Sequence, residues 1–478
     1  MKYFFNVFFF LAFFSLEILA INDTATIVIL HTNDMHSKIF RYPKIAYLID
    51  SVRDIYPDAL LVSAGDLFTG YPIVDKYTTP GEPIIKIMNE IGYDISCIGN
   101  HEFDIGQENL NKAFDLASFP FICANIDTRE ALLHQPKPFY KFETAQGLSI
   151  GFLGLVQIEK NGYPSTNPIR IKGIKFYDPV KTINKYKTYK DSVDIFILLS
   201  HLGIKTDSIV AKHYPDLFDA IIGGHSHTLL LQGKKVGQTL ITQAGLYLRF
   251  LGVMTINVYD GKVISITDTV LAIRGLKKQD KQIAQLVNKY ENIPEFNQVI
   301  GSANEDIYGK YRLGFLVTDA MRESLDCDIA FHNIGGIRMH SLPAGKITKR
   351  QIYELQPFNN FYVIYTLNTE EIKVLIRYAY NLRGKNDLLV SGINMELYVD
   401  KKGKLKKIRL LTEDGKEINS GTFRVAVNDY MAAAYTVPCF KKKYEATNVI
   451  DAQATIDYIR KYSPIDYSNV RRIKIIRI

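Results

Sequence analysis

Short apolar runs, most of them rich in β-branched residues, recur through the first 225 residues, and nearly every one leads into a side chain able to bind a metal. Thr26-Ile-Val-Ile-Leu30 leads to Asp34-Met-His36, and Ala59-Leu-Leu-Val-Ser63 to Gly65-Asp66. Asp94-Ile-Ser-Cys-Ile98 leads to Gly99-Asn100-His101-Glu102-Phe103-Asp104, and Ile195-Phe-Ile-Leu-Leu199 to His201. Ala220-Ile-Ile222 opens onto Gly223-Gly-His225-Ser-His227; only Ser149-Ile-Gly-Phe-Leu153 lacks such an ending. Continuous apolar runs of this length are expected of strands covered on both faces, which predicts layered α/β architecture. In an open α/β sheet, ligands bind in the crevice beyond the carboxyl ends of the strands. Loops from five strands are therefore expected to converge on one site.

The residue types fit one chemistry. Imidazole and carboxylate suit zinc, manganese and iron, and two such ions held close together need an anionic ligand shared between them. Such a pair generates a nucleophile from water near neutral pH and neutralises charge on a phosphoryl group under in-line attack. An isolated Asp-x-His is ordinary loop composition. Five such endings in order, each behind an expected strand, are not.

These strings resemble the calcineurin-like metallophosphoesterases, and within them the secreted and periplasmic 5′-nucleotidase and UDP-sugar hydrolase family. The resemblance implies an N-terminal four-layer α/β/β/α sandwich and a smaller C-terminal α/β substrate-binding domain. It implies two divalent ions, zinc, manganese or similar: Asp34, His36 and His227 on one, Asn100, His201 and His225 on the other, and Asp66 bridging. His101, paired with Asp104, would face the substrate phosphate. His31 matches the family string, and we read it as a structural hydrogen-bonding residue.

The second half extends the resemblance through His332-Asn-Ile-Gly-Gly-Ile-Arg338 and Leu355-Gln-Pro-Phe-Asn-Asn360. Arg338 would contact the phosphate side of the substrate, a task suited to a planar guanidinium with several donors. Val427-Asn-Asp-Tyr430 offers Tyr430 as a ring for stacking on a base. The next residues, Met431-Ala-Ala-Ala-Tyr-Thr-Val437, depart from the family's Gly-Gly-Asp stretch, so its ribose-binding Asp is missing. Asp387 and Leu388 stand where a second aromatic ring is expected. The hydrolytic machinery reads as intact and the nucleoside pocket as modified.

Other patterns complete the expected architecture. Gly252 to Val270 reads as an antiparallel pair turning at Asp260-Gly261. From Lys277 to Glu291, Ile283, Leu286, Val287 and Tyr290 form one helical apolar stripe. The expected organisation is an export signal over residues 1–20, a metal-binding domain over 22–275, a connector helix within 276–298 and a substrate-binding domain over 299–478. In the second domain Arg312 to Leu325 reads as a helix, Ile329 to Phe331 as a strand, and Leu397 to Leu411 as a hairpin. The export reading rests on Lys2 followed by the apolar stretch Phe4 to Leu16, too short to span a bilayer comfortably. No stable membrane span is expected once that signal is removed.

With 478 residues and a formal net charge of +8, the chain is long enough for two domains and only mildly basic. No basic tract with interleaved aromatics is present, so a nucleic-acid polymer is not an expected partner. Four scattered cysteines, Cys97, Cys123, Cys327 and Cys439, have no metal-ligand spacing. The expected activity is release of phosphate from nucleoside 5′-monophosphates or a related ester. Alternatives on the same scaffold are a 2′,3′-cyclic-nucleotide phosphodiesterase, a UDP-sugar pyrophosphatase or hydrolysis of a sulfur-oxyanion conjugate. A non-catalytic nucleotide-binding protein is the alternative from another class.

Overall fold

A computed structural model describes residues 24–478; the expected export signal lies outside these residues. In its N-terminal half two six-stranded sheets pack face to face. The first runs Lys262–Ala272, Phe250–Tyr259, Thr24–Thr32, Leu60–Ser63, Ile95–Cys97, Phe121–Ile122. The second runs Lys234–Val236, Thr239–Thr242, Ala220–Gly223, Ile195–His201, Ser149–Val156, Phe139–Glu143.

Side-chain alternation along the strands explains the layering. Ile27 and Ile29 enter the core between the sheets with Val62, Ile95, Ile197 and Leu199. Val28 and Leu30 face outward, into the core shared with the helices Tyr42–Arg53 and Glu82–Ile91. On the second sheet Phe196 and Leu198 point out toward Val210 and Ala211 of the helix Ile204–His213. The central strands are thus covered on both faces, which is why their sequences show no polar alternation, whereas the edge strand Lys262–Ala272 is largely exposed. The result is the expected four-layer sandwich. Parallel pairing of Thr24–Thr32 with Leu60–Ser63, and of Ser149–Val156 with Ile195–His201, brings several carboxyl ends to one edge.

At the hairpin between Phe250–Tyr259 and Lys262–Ala272, Tyr259 pairs with Lys262, leaving the two-residue loop Asp260-Gly261. Both residues have positive φ, 49° and 68°, as a type I′ turn requires. The helix expected from Lys277 begins at Lys281 instead. The Asp280 carboxylate accepts from the Ile283 backbone N–H at 2.6 Å and caps it there. Its buried residues Ile283, Val287 and Tyr290 pack into the N-terminal core.

The C-terminal half is built on a five-stranded sheet in the order Leu388–Ser391, Ile329–Asn333, Thr422–Asn428, Phe361–Asn368, Glu445–Ile450. Phe331, Val363 and Tyr365 meet the helix Thr369–Arg383 on one face. Ala330, Tyr362 and Ile364 meet the helices Lys310–Leu325 and Asp451–Tyr462 on the other. The hairpin expected around Lys401 to Gly403 is present, Asn394–Val399 pairing with Leu405–Leu411. All four cysteines are buried and free.

Candidate metal centre and adjoining pocket

Six of the seven candidate ligands sit on loops beyond strand ends, His201 closes its own strand, and five of the loop residues adopt an unusual backbone conformation. Asp34, His36, Asp66, His225 and His227 all have positive φ, between 47° and 71°. A non-glycine residue there costs about 1–3 kcal/mol and persists only where its surroundings over-determine it. The restraint is visible. Asp34 and His36 donate their backbone N–H groups to the Gly65 and Asp66 carbonyls at 3.0 Å. Glu102, fully buried, accepts from the backbone N–H groups of Asp66 (3.1 Å), Leu67 (2.6 Å) and Gly99 (2.6 Å), pinning two loops together. A Cβ at Gly99 would collide with the Asp66 carboxylate, so the close approach requires glycine.

These loops gather the ligand atoms. Donor atoms of Asp34, His36, Asp66 and His227 lie within 4.8 Å of one another. The His201 Nε2 is 3.2 Å from Asp66 Oδ2 and 4.0 Å from Asp34 Oδ1. Asn100 Oδ1 is 2.9 Å from His225 Nδ1, and the His201 and His225 rings lie 5.3 Å apart. All seven sequence-derived candidates converge.

Tautomers test whether cations fit. The His36 Nδ1 lies 3.0 Å from the Thr69 carbonyl, which can only accept, so the neutral ring presents a bare lone pair at Nε2. That lone pair faces His227 Nε2 at 3.1 Å. His201 likewise spends Nδ1–H on the Ala64 carbonyl at 2.6 Å, and its buried Nε2 has no hydrogen-bond partner. Burial holds His36 well below its ordinary value, and burial with the neighbouring His201 pushes His225 down to about 4. At His201 burial opposes the charge, but the carboxylates of Asp66 and Asp34 outweigh it and push the ring up to about 10, so without a cation this ring itself carries the positive charge those carboxylates call for. Lone pairs and carboxylates aimed at a common space demand positive charge, which divalent cations supply. The residues fit the metals.

Beside the cluster lies a cavity of about 150 Å³ between the two halves of the chain. His101 opens onto it. Its Nδ1 is 2.5 Å from Asp104 Oδ2, the second Asp104 oxygen accepts from the Thr166 hydroxyl at 2.6 Å, and its Nε2 is 4.0 Å from Asp66 Oδ2. Burial disfavours a charged His101, but Asp66 and Asp104 outweigh it and raise its pKa above the usual value. Arg338 and Tyr430 line the same cavity, so the pocket joins the residues expected from both halves. His31, by contrast, is bound at 2.9 Å to Asp268 in a buried pair and takes no part.

Sequence reasoning missed four residues here. Glu102 was legible only as part of its string, since its role is to hold backbone. Phe358 stacks on the His101 ring, centroids 5.9 Å apart and planes 28° apart, and lies under the Arg338 guanidinium at 5.6 Å. Arg170 donates to the Phe358 carbonyl at 3.0 Å, and Arg383 reaches the cavity from the end of its helix. The last three depend on contacts between distant segments. Asp387, where a second ring was expected, accepts from the Tyr435 hydroxyl at 3.1 Å instead.

Comparison with known proteins agrees with this architecture. Residues 27–229 match the family model for calcineurin-like phosphoesterase, and residues 267–442 that for the 5′-nucleotidase C-terminal domain. The chain is 28% identical over 460 residues to Endonuclease YhcR of Bacillus subtilis, covering 87% of this chain but only 37% of that protein. It is 27% identical to a 5′-nucleotidase of Vibrio cholerae, over 93% of this chain and 92% of the relative. The crystal structure of a 5′-nucleotidase precursor from Thermus thermophilus shares the fold, with a TM-score of 0.78 at 24% identity over 95% of this chain and 99% of that one. A buried Asp and His cluster at the strand ends, matched family models in both halves and whole-length relatives converge: this chain belongs to the calcineurin-like phosphoesterases carrying a 5′-nucleotidase C-terminal domain, and is a metal-dependent phosphoester hydrolase.

Proposed function

We propose that the chain is an exported 5′-nucleotidase-type phosphatase holding two divalent ions and releasing phosphate from nucleotide-sized monoesters. The observation that carries this reading is the clustering of Asp34, His36, Asp66 and His227, with His201, Asn100 and His225 adjoining, beside the His101–Asp104 pair and a cavity lined by Arg338 and Tyr430. Asp34, His36 and His227 would hold one ion, Asn100, His201 and His225 the other, and Asp66 both. Bound there, the ions supply Lewis acidity and a nucleophile from water near neutral pH. The remaining work falls to side chains. Asp104 fixes the His101 ring through Nδ1, leaving Nε2 to donate a hydrogen bond to a phosphoryl or leaving oxygen. Arg338 binds phosphoryl oxygens, and Tyr430 flanks the alcohol. Export rests on the apolar stretch Phe4 to Leu16, and the relatives' names support a small nucleotide as substrate.

The test is metal analysis of the purified chain followed by turnover of AMP, ribose 5-phosphate, a 2′,3′-cyclic nucleotide and a UDP-sugar. We expect close to two ions per chain and highest kcat/KM on a monoester. Preference for the cyclic or UDP-linked substrate would move the chain to one of those activities. Tight nucleotide binding without turnover in the metal-loaded chain would make it a binding protein.

A further inference from the structure

Alone among the apolar runs of the first half, the one in the strand Ser149–Val156 leads to no metal-capable side chain. The chain beyond it nevertheless returns to the cavity, at Ser165, Thr166 and Asn167. Each of the three holds a different part of the site. The Ser165 carbonyl accepts from the Asn100 side-chain amide at 3.0 Å, and the Asn167 amide donates to Asp429 Oδ2 at 3.2 Å, across the boundary between the halves. Thr166 between them is buried. Its backbone N–H donates to the Pro164 carbonyl at 2.7 Å and its hydroxyl to Asp104 Oδ1 at 2.6 Å. The direction of the second bond is fixed, because a carboxylate only accepts.

Asp104 needs that donor. It lies three residues beyond His101 in the short helix His101–Ile105, and its Oδ2 meets His101 Nδ1 at 2.5 Å. One bond alone leaves a carboxylate free to pivot about its Cβ–Cγ axis and carry the ring with it. Among the described residues, Thr166 is the only partner of the other oxygen. Holding one oxygen each, His101 and Thr166 set the plane of the carboxylate. That plane sets the direction of His101 Nε2, 4.0 Å from Asp66 Oδ2. A β-branched side chain is stiff at χ1, so a threonine whose neighbours are pinned on both sides offers a hydroxyl with little freedom.

We propose that Thr166 is a positioning residue for the reaction: its hydroxyl holds Asp104 so that His101 Nε2 points at the phosphoryl or leaving oxygen. The inference rests on the phosphatase reading above and deepens it, extending the His101–Asp104 pair to a chain of three side chains.

Thr166→Val keeps the shape and removes the hydroxyl, whereas Thr166→Ser keeps the hydroxyl. In the zinc-loaded full chain acting on phenyl phosphate, Thr166→Val should lower kcat about ten- to a hundred-fold, the scale of a misplaced catalytic group. KM and metal content should not change, and Thr166→Ser should keep most of the parent's kcat. In a His101→Ala background the valine substitution should cost less than about two-fold, because no ring remains to be aimed. A loop merely loosened by the substitution would lose activity equally in both backgrounds. The His101 Nδ1–H proton reads the same geometry without turnover. Its downfield resonance, identified by its absence from His101→Ala, should move or broaden in Thr166→Val and stay in place in Thr166→Ser. Equal losses in both backgrounds, an unchanged kcat in Thr166→Val or an unmoved resonance would overturn the positioning role. A parent that turns over no monoester strikes the phosphatase reading instead, and the resonance then decides the role of Thr166 alone.

Discussion

Asp66 carries two jobs with one side chain. Its Oδ2 lies 3.2 Å from His201 and 3.8 Å from His36, while Oδ1 accepts from the His101 backbone N–H at 2.9 Å. Burial pushes this carboxyl up, yet His201 and His101 outweigh it and hold the group well below the carboxylate range, so it stays ionised. Asp66→Asn keeps the shape and removes the charge. Metal content should fall toward one ion or fewer, and activity by at least about 10²-fold, the scale of losing a preorganised electrostatic group. Full metal occupancy in that variant, read by elemental analysis, would refute the shared-ligand role. His101→Ala should separate the other way. His101 lies beside the cluster, its ring held by Phe358 and by Asp104, which the Thr166 hydroxyl holds in turn. The expected outcome is unchanged metal stoichiometry with kcat down about 10²–10⁴-fold. Loss of an ion would make it a ligand. These residues were legible because strand-end position and side-chain chemistry are both local properties of the sequence. Phe358 and Arg383 were not, since each acquires its role only when distant segments meet.

Among the elements, those covered on both faces were the easiest to anticipate. Ile195–His201 is wholly buried, so its sequence carries no alternation to confuse the reading. Boundaries set by capping were harder. The connector helix is expected from Lys277, ahead of its apolar stripe, but the Asp280 cap starts it at Lys281. A helix start also carries the pH prediction. Asp451 opens the helix Asp451–Tyr462 and is buried. Burial pushes its carboxyl up to about 7, only partly offset by the Ala452 N–H and by Lys76. A carboxyl whose folded pKa is raised contributes stability fully present below its unfolded pKa, near 4, and lost as pH rises through the folded value. The native chain should therefore lose stability between about pH 4 and 7, by at most about 1.4 kcal/mol per pH unit from this group. Asp451→Asn should flatten that part of the Tm-versus-pH curve. Unchanged curvature in the variant would mean the carboxyl titrates normally.

At the scale of the whole molecule, the division of labour follows from where the contacts lie. Every candidate metal ligand comes from residues 34–227, whereas Arg338, Phe358, Arg383 and Tyr430 enter from beyond the connector helix. The halves are tied at separate points. Arg350 donates to both Glu291 (2.7 Å) and the Tyr71 hydroxyl (2.6 Å), and Arg170 holds the Phe358 carbonyl across the cavity. The connector helix belongs energetically with the first half. Ile283, Val287 and Tyr290, with Phe296 just after, lie in that core, and burying each such side chain is worth about 1.5–3 kcal/mol. A fragment ending at residue 275 would expose the surface they cover. We therefore expect residues 24–298 to fold with a clearly higher Tm than residues 24–275. The longer fragment should bind the same number of ions as the full chain, because no candidate ligand is removed. It should hydrolyse a generic aryl phosphate slowly, since Phe358 no longer backs His101 and Arg338 is gone. It should also lose discrimination between AMP and ribose 5-phosphate, because Tyr430, assigned to the alcohol half, has left with the second domain. Comparing kcat/KM across these esters for fragment and full chain decides the matter. A fragment that kept the full chain's order of preference would place specificity in the metal-binding half and leave the second domain a structural role.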